Sequence, residues 1–253
     1  MLIQGKVVLI TGASGGIGAA CADAFACRSA QLSLTARSPF ERADALVTPG
    51  DITKPADRVR IVEATLKRFG RIDILINNAG QGSYRSALDG APDAEEEARR
   101  LFDLNFFAPL AVTQLVVPHM RAAGSGLIVN VGSIAGKIAL PWMPIYSATK
   151  FALGALTDAI RIEVARDSIR AMQVCPGYVD TPFHEHAIGK PPAAIAGAKP
   201  FAISPRRCAE DIARGVERDA RTVVTPGFGG WFFIWAERML PSLVDSRLSR
   251  LSK

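Results

Sequence analysis

The chain has 253 residues, of which 49% are hydrophobic and 21% charged. This composition is sufficient for one buried sheet and argues against a disordered chain. Its net charge is +6, but Lys and Arg are scattered and form no basic block interleaved with aromatics, so we expect no nucleic-acid partner. The four cysteines lack CxxC spacing and the N-terminus lacks a signal-peptide pattern, which together predict a reducing, cytoplasmic location.

Short β-rich segments alternate with helical patterns along most of the chain. They lie at 6–10, 31–35, 72–76, 126–132, 169–175 and 222–226. This alternation predicts an α/β fold: a doubly wound parallel sheet with helices on both faces, forming a single Rossmann-fold domain over 1–253. The interval from Arg37 to Asp51 is short and contains Pro39 and Pro49, so we expect only a clipped crossover helix there.

A glycine-rich segment, "TGASGGIG" from Thr11 to Gly18, follows the first predicted strand and opens a helix. Its glycines allow a tight turn that brings main-chain N–H groups and the helix N-terminus close to a pyrophosphate. The alternative is an ordinary strand-to-helix turn. The flanking strand and helix favour dinucleotide binding.

The end of the second predicted strand indicates which dinucleotide binds. It reads Thr35, Ala36, Arg37, Ser38 and has no acid to bind a ribose 2′-hydroxyl. An arginine there can instead pair with a 2′-phosphate through its planar guanidinium. We therefore predict NADP(H) rather than NAD(H) as the cofactor. The alternative is that Arg37 is a solvated surface residue.

Several further motifs follow in a fixed order: "NNAG" (77–80), Asn105, Ser133, "YSATK" (146–150) and "PGYVDTP" (176–182). Together with the glycine turn, whose spacing is G-x3-G-x-G, they resemble the classical short-chain dehydrogenase/reductase family. The resemblance covers about residues 5–183.

Tyr146 and Lys150 are four residues apart on a predicted helix, so both side chains project from one face. A phenol normally titrates near pH 10, and a nearby ammonium favours its ionised form. We therefore predict that Lys150 lowers the pKa of Tyr146 and makes it an effective acid and base. The alternative is a core tyrosine with a satisfied hydroxyl beside a surface lysine.

The resemblance implies a catalytic set of Asn105, Ser133, Tyr146 and Lys150. Ser133 would orient the reacting carbonyl and stabilise charge developing on its oxygen. Asn105 would hold a water in a proton relay to the lysine. The alternative for Asn105 is a helix residue that hydrogen-bonds locally.

The resemblance also implies the cofactor-binding residues. Asn78 and its neighbours would steady the sheet, "PGYVDTP" would wrap the nicotinamide, and Asp51 would contact the adenine. For Asp51, a turn or cap is an equal alternative. The predicted set is Gly12, Ser14, Gly16, Ile17, Gly18, Arg37, Asp51, Ile52, Asn78, Ala79, Gly80, Tyr146, Lys150, Pro176, Gly177, Val179 and Thr181.

These residues predict an NADP(H)-dependent carbonyl reductase or alcohol dehydrogenase, in which a hydride moves between nicotinamide and a carbonyl carbon while Tyr146 transfers a proton. The substrate would be a small lipophilic ketone, aldehyde or alcohol. The alternative is a catalytically silent dinucleotide-binding regulator or scaffold. We expect no metal, because His184 and His186 have no third ligand in evidence.

The C-terminal third departs from the family pattern. Residues of about 183–205 are predicted to form a variable substrate lid, and about 227–253 form an atypical apolar segment containing "WFFIW" at 231–235. That cluster is too short to span a bilayer. A lid or a helix packing in a homodimer is favoured over a peripheral membrane contact. The tetramer common in the family is not expected.

Overall fold

A single parallel sheet forms the centre of the molecule. The computed structural model describes residues 1–191 and 202–251, so positions 192–201 of the predicted lid and the last two residues lie outside the described residues. Within the described ranges, seven strands are arranged in the order β3-β2-β1-β4-β5-β6-β7. The strands are β1 (Val7–Thr11), β2 (Gln31–Thr35), β3 (Ala45–Val47), β4 (Ile74–Asn77), β5 (Gly126–Val131), β6 (Ile169–Pro176) and β7 (Thr222–Thr225). The predicted single-domain α/β fold is confirmed.

Helices cover both faces of the sheet. They are α1 (Gly16–Ala26), α2 (Pro55–Phe69), α3 (Ala94–Phe102), α4 (Ala108–Ala122), α5 (Pro144–Glu163), α6 (Pro205–Glu217), α7 (Gly227–Met239) and α8 (Pro241–Leu251). Helices α1 and α6 pack on one face, and α2, α4 and α5 pack on the other. Short 3-10 turns occur at Ile134–Gly136, Ala165–Asp167 and Pro182–His184.

The core consists of two apolar layers separated by the sheet. Side chains alternate along a strand, so in β1 Val8 and Ile10 belong to the layer under α1 and α6, whereas Leu9 belongs to the opposite layer. Because both faces are covered, most strand residues are buried, and β1 and β4 are almost continuously apolar. This is why their positions could be predicted from short hydrophobic runs.

The crossover helix predicted between Arg37 and Asp51 is wrong. The structure has a non-helical connection over 36–44, followed by the short strand β3, in which Ala45 pairs with Leu32 of β2. Arg42 holds this connection through ion pairs with Asp23 and Asp44 at 2.6 and 2.7 Å. A strand of three residues is too short to produce a recognisable alternation.

Strand β1 lies between β2 and β4, so the chain reverses its direction of travel across the sheet at β1. In open α/β sheets a ligand crevice forms at such a point, at the carboxyl ends of the strands. The loops after β1 and β4 are therefore the expected walls of the site.

One helical run within the described ranges, Ala94–Ala122, is long and apolar enough to cross a membrane by length and composition alone. It comprises α3, α4 and a π-helical segment between them. In α4, Val112 and Val116 are buried in the layer beneath the sheet. Core helices of globular proteins have the same composition, so this run carries no argument for a membrane span.

Candidate active site

A cavity of about 1560 Å³ lies at the carboxyl ends of the strands. Of the predicted site residues, all of which the structure describes, only Gly18 and Asn105 do not line it. The residues that do line it are Gly12, Ser14, Gly16, Ile17, Arg37, Asp51, Ile52, Asn78, Ala79, Gly80, Ser133, Tyr146, Lys150, Pro176, Gly177, Val179 and Thr181. Side chains and backbone from distant segments thus meet in one crevice.

The turn after β1 depends on the absence of side chains. Gly12 and Gly16 have φ of +67° and +55°, a region that favours glycine. A Cβ at Gly12 would lie 2.8 Å from the Cα of Ala79, and a Cβ at Gly18 would lie 2.1 Å from the carbonyl oxygen of Gly12. Gly18 therefore allows α1 to pack against the turn. Its predicted place among the cofactor-binding residues stays a prediction, since Gly18 packs on the turn and does not line the cavity.

Asn78 ties this turn to the end of β4. Its side-chain amide donates to the carbonyl oxygens of Thr11 and Gly12, each at 3.0 Å. The Thr11 hydroxyl in turn accepts from the main-chain N–H groups of Asn78 and Ala79 at 3.0 and 3.1 Å. These bonds hold the crevice between β1 and β4 in one geometry.

Arg37 and Asp51 lie at the end of the cavity beside β2. The Arg37 side chain is exposed, and no hydrogen-bond or ion-pair partner is found for it among the described residues. Asp51 accepts from the main-chain N–H and the hydroxyl of Thr53 at 2.9 and 2.7 Å, so the predicted turn geometry is present. Asp51 also lines the cavity. This end of the site therefore offers an uncompensated guanidinium beside a fixed carboxylate.

Tyr146 and Lys150 are buried on α5 and line the same cavity, as their spacing predicts. The Lys150 Nζ lies 5.7 Å from the centre of the Tyr146 ring. It donates a hydrogen bond to the carbonyl oxygen of Val131, at the end of β5, at 3.0 Å. The helix and the neighbouring strand thus hold the amine beside the phenol.

The predicted lowering of the Tyr146 pKa is wrong for this structure, because burial shifts that pKa the other way. Burial raises the pKa of Tyr146 to about 12, and the nearby Ser133 hydroxyl acts in the opposite direction. Burial also lowers the pKa of Lys150 to about 8. Removal from water disfavours the charged form of both groups, and it is the largest cause of each shift. The phenol is therefore firmly protonated at neutral pH.

Ser133 follows β5 and lines the cavity with Tyr146. Its hydroxyl accepts from the main-chain N–H of Ala135 at 3.0 Å and donates to the Pro176 carbonyl oxygen at 3.5 Å. The first contact is a normal hydrogen bond, and the second is long. The hydroxyl proton is therefore weakly held and faces a site where a substrate oxygen could accept it.

Asn105 lies in a π-helical segment, Asp103–Phe107, which the sequence analysis did not predict. Its side chain is fully buried, accepts from the Gln81 N–H at 2.9 Å, and donates to the Gln81 carbonyl and the Thr149 hydroxyl at 2.9 and 3.1 Å. These partners are distant in sequence, so the alternative of local helix bonding is also wrong. Asn105 joins the loop after β4 to the helix that carries Tyr146.

The other half of the cavity is apolar and aromatic, and most of its residues were not predicted. His184 stacks on Tyr178 with ring centres 4.5 Å apart, and its Nδ1 forms a short hydrogen bond with the Tyr84 hydroxyl. No group of three or more His, Cys, Asp or Glu side chains in the described ranges is arranged to hold a metal ion. Other residues lining this half include Leu104, Ile134, Ile138, Leu140, Trp142, Met143 and Phe183.

Helices α7 and α8 close this aromatic half. Gly229, Gly230 and Phe233 of α7 line the cavity, as do three residues of α8, Val244, Arg247 and Leu248. The C-terminal segment is therefore a wall of the apolar half of the cavity. Hydrophobicity identified the segment from the sequence, but its contact with the cavity depends on how the two helices fold back.

Comparisons with known proteins agree with this geometry. The profile of a family described as short chain dehydrogenase matches residues 6–190. A relative from Arabidopsis thaliana, "11-beta-hydroxysteroid dehydrogenase-like 3", is 32% identical over 97% of this chain and 81% of its own length. The crystal structure of a short chain dehydrogenase from Burkholderia cenocepacia in complex with NADP has a TM-score of 0.82 at 27% identity, covering 98% of this chain and 99% of that chain.

The cofactor differs among similar structures. The crystal structure of a 3-ketoacyl-(acyl-carrier-protein) reductase from Brucella melitensis, complexed with NADH, has a TM-score of 0.80 at 30% identity. It covers 88% of this chain and 97% of that chain. Likeness of fold alone therefore does not choose between the two nicotinamide dinucleotides.

Proposed function

The chain belongs to the classical short-chain dehydrogenase/reductase family of oxidoreductases, and we propose that it uses NADP(H) to interconvert a lipophilic ketone or aldehyde and the corresponding alcohol. The observation that carries this proposal is that Ser133, Tyr146 and Lys150 line the same cavity as the glycine turn. A cofactor site and an acid/base group are thereby brought together in one crevice.

The residues at the strand ends fit a nicotinamide dinucleotide. The bare main chain at Gly12 and Gly16 and the N-terminus of α1 would hold the pyrophosphate, while the unpaired Arg37 would bind a 2′-phosphate. When bound, the nicotinamide supplies or accepts the hydride. The Arg37 guanidinium supports NADP(H) over NAD(H), because no acid at the end of β2 stands ready for a 2′-hydroxyl.

Tyr146 transfers the proton. In the reducing direction it donates its proton to the substrate oxygen while the carbonyl carbon gains the hydride, so the C=O bond becomes C–O–H. Its pKa, raised by burial to about 12, keeps the phenol protonated and ready to donate. Lys150, held at 5.7 Å from the ring centre, stabilises the phenolate that remains. Solvent then reprotonates the phenolate.

Ser133 and Asn105 assist in different ways. Ser133 exchanges its long hydrogen bond to Pro176 for one to the substrate oxygen and so orients the carbonyl. Asn105 acts as a positioning residue, since it binds Gln81 and Thr149 and does not line the cavity. A role for Asn105 in a water relay to Lys150 stays a prediction.

The lining of the apolar and aromatic half of the cavity, which we call the substrate half after this proposal, supports a lipophilic substrate. Leu140, Trp142, Met143 and Phe183 leave few polar partners for a hydrophilic molecule. A relative whose name includes hydroxysteroid dehydrogenase is consistent with a substrate of this kind. The lid role of residues 183–205, a cytoplasmic location and a homodimeric assembly belong to the same proposal.

The test is NADPH oxidation with a panel of lipophilic ketones. We expect turnover that falls by about 10²–10⁴-fold in Tyr146→Phe, the usual contribution of general acid catalysis. Tyr178→Phe is the matched control, because Tyr178 also lines the cavity, and it should retain activity. Tight NADPH binding without turnover of any ketone or alcohol would instead support the silent scaffold.

A further inference from the structure

Helix α7 exposes most of its large apolar side chains and buries Gly230 and Ile234. Phe228, Trp231, Phe232, Trp235 and Met239 follow the spacing i, i+3, i+4, i+7, i+11, which is one face of a helix. All five are between 49% and 91% exposed. An ordinary surface helix has the reverse arrangement, so this face is built to contact something other than water.

The opposite side of α7 packs closely against β7. Gly230 packs against β7, where a Cβ would lie 2.4 Å from the Val224 side chain, and Ile234 is buried beside it. This tight packing sets the rotation of the helix and prevents the aromatic residues from turning inward. The exposed aromatic face is therefore a consequence of the fold, not of a loosely attached helix.

The apolar face extends onto the next residues. Leu240 and Leu243 are 47% and 66% exposed directly after the stripe. We call the combined set the C-terminal apolar face: Phe228, Trp231, Phe232, Trp235, Met239, Leu240 and Leu243. A group of seven exposed apolar residues close together in the chain marks an interaction site, unlike apolar residues exposed singly.

The charges beside this face are positive. Arg238 is exposed next to the stripe, whereas one carboxylate oxygen of Glu237 is buried away from solvent. Arg247 is exposed where α8 lines the cavity, and no partner is found for either arginine in the described ranges. By sequence, 227–253 contains four basic residues, Arg238, Arg247, Arg250 and Lys253, against two acids, Glu237 and Asp245.

We propose that the C-terminal apolar face binds the interfacial region of a lipid bilayer that contains anionic lipids. Trp and Phe favour the boundary between headgroups and acyl chains, and arginines beside them favour anionic headgroups. The helix lies in the membrane surface and does not cross it, because its 13 residues are too few for the roughly 20 that a span requires.

A second copy of this chain fits the face less well. A two-fold contact would bring Arg238 of both copies to the same interface, while the neighbouring Glu237 has one carboxylate oxygen buried away from that surface. Anionic headgroups complement that charge, whereas a copy repeats it. Dimerisation through this face is therefore an outcome that the experiment must distinguish.

The same helices connect the membrane surface to the site. Gly229 and Phe233 of α7 and Val244 and Leu248 of α8 line the cavity from inside, while the C-terminal apolar face lies outside. A lipophilic substrate dissolved in the bilayer would reach the cavity beside these helices without crossing water. This second part rests on the proposed function; the membrane binding does not.

Vesicle co-sedimentation of the full chain tests the binding directly. We expect partitioning onto vesicles of phosphatidylcholine and phosphatidylglycerol in equal parts, with weaker partitioning onto phosphatidylcholine alone. The Trp231→Ser/Trp235→Ser variant should partition about tenfold less. The control Leu88→Ser/Ile162→Ser removes side chains that are 95% and 78% exposed elsewhere and should bind as wild type does. Equal binding by both variants would overturn the proposal.

Two further measurements keep the proposal testable if the double-tryptophan variant does not fold. Brominated phosphatidylcholine should quench the tryptophan fluorescence of the wild-type protein in mixed vesicles, and absence of quenching would overturn the proposal. The oligomeric mass in solution should be the same for the wild type and the folded variant. Conversion of a dimer to a monomer by the tryptophan substitutions would assign the face to a second copy instead.

Substrate delivery needs a separate measurement. With a ketone dissolved in vesicles, the Trp231→Ser/Trp235→Ser variant should show a raised KM, while its KM for a water-soluble ketone stays unchanged. Equal KM values for wild type and variant with both ketones would remove the delivery part. If no ketone is turned over by wild type, the proposed function fails, but vesicle binding still decides the membrane proposal.

Discussion

The two halves of the cavity are formed by different parts of the residues, mainly backbone in one half and side chains in the other. The half around the glycine turn, which we call the cofactor half after its proposed role, consists of main chain, glycines and polar hydrogen bonds, such as those from Asn78 to Thr11 and Gly12. The substrate half consists of aromatic and aliphatic side chains that come from separate loops and from the C-terminal helices. A site formed by backbone requires particular residues in contiguous motifs, whereas one formed by side chains leaves many residue types acceptable. The first half can therefore be recognised in a sequence and the second cannot.

Close packing at the glycine turn should give the largest effect, a loss of stability. In Gly18→Ala the new Cβ meets the Gly12 carbonyl oxygen, and we expect the free energy of unfolding to fall by about 3 kcal/mol. Gly15→Ala is the matched control, since a Cβ there meets nothing within 4 Å. Thermal or denaturant unfolding of the cofactor-free proteins measures both. Equal loss in the two variants would show that the turn does not depend on close packing.

The pH dependence of stability tests the buried lysine between the halves. The folded protein binds the Lys150 proton less tightly than the unfolded chain, because burial lowers its pKa from 10.5 to about 8. Its contribution to stability is therefore complete above pH 10.5 and is lost as the pH falls through 8. Relative to Lys150→Met, the free energy of unfolding of the wild type should rise by about 2 kcal/mol between pH 8 and 9.5, measured by urea unfolding.

The exposed Lys67 supplies the control for that experiment. Lys67→Met should reproduce the wild-type pH profile, because its amine is in solvent in both states. A Lys150→Met profile parallel to that of the wild type would contradict the lowered pKa. Lys150 would then have no electrostatic property that distinguishes it from an ordinary surface lysine.

Cofactor selectivity tests the outer end of the cofactor half, where Arg37 lies. Arg37→Ala should weaken NADPH binding by about 10–100-fold, the value of a lost hydrogen bond to a charged group, and leave NADH binding unchanged. Arg42→Ala is the control, because Arg42 is already paired with Asp23 and Asp44. Titration of cofactor fluorescence gives the six dissociation constants, for NADPH and NADH with the wild type and each variant. Equal losses of both dinucleotides in Arg37→Ala would refute the phosphate-pairing argument.

The smallest effect should come from the substrate half. His184→Phe keeps a ring to stack on Tyr178 but removes the hydrogen bond with Tyr84. We expect the KM for a lipophilic ketone to rise about fivefold, the value of one neutral hydrogen bond, while the NADPH dissociation constant stays the same. His119→Phe, on the exposed side of α4, should change neither. A change in NADPH affinity would mean that the two halves are not separate.

Most of the sheet and most of the cofactor half could be predicted, because their determinants are local. The apolar runs of β1 and β5 and the glycine spacing from Gly12 to Gly18 are continuous in the sequence. Strand β3 was missed, since three residues show no periodicity. The π-helical turn at Asn105 was missed as well, because its partners Gln81 and Thr149 are 24 and 44 residues away.

Buried networks of hydrogen-bonded polar side chains could not be predicted from the sequence either. Asn77 donates to Asn130 at 2.9 Å, and Asn130 donates to Thr157 at 2.9 Å, which joins β4, β5 and α5 inside the core. Each of these residues alone is an ordinary polar residue in a strand or helix. Only their meeting in space turns them into one buried network that satisfies most of their polar atoms.

Local sequence patterns were enough to predict the parallel fold, the edge of the sheet where the cavity lies and the pairing of Tyr146 with Lys150, because strand periodicity and i, i+4 spacing are properties of neighbouring residues. The tertiary structure alone decided that burial raises the pKa of Tyr146 and that α7 turns its aromatic face to solvent. Both depend on which distant groups exclude water from a side chain, and that is settled only when the chain has packed.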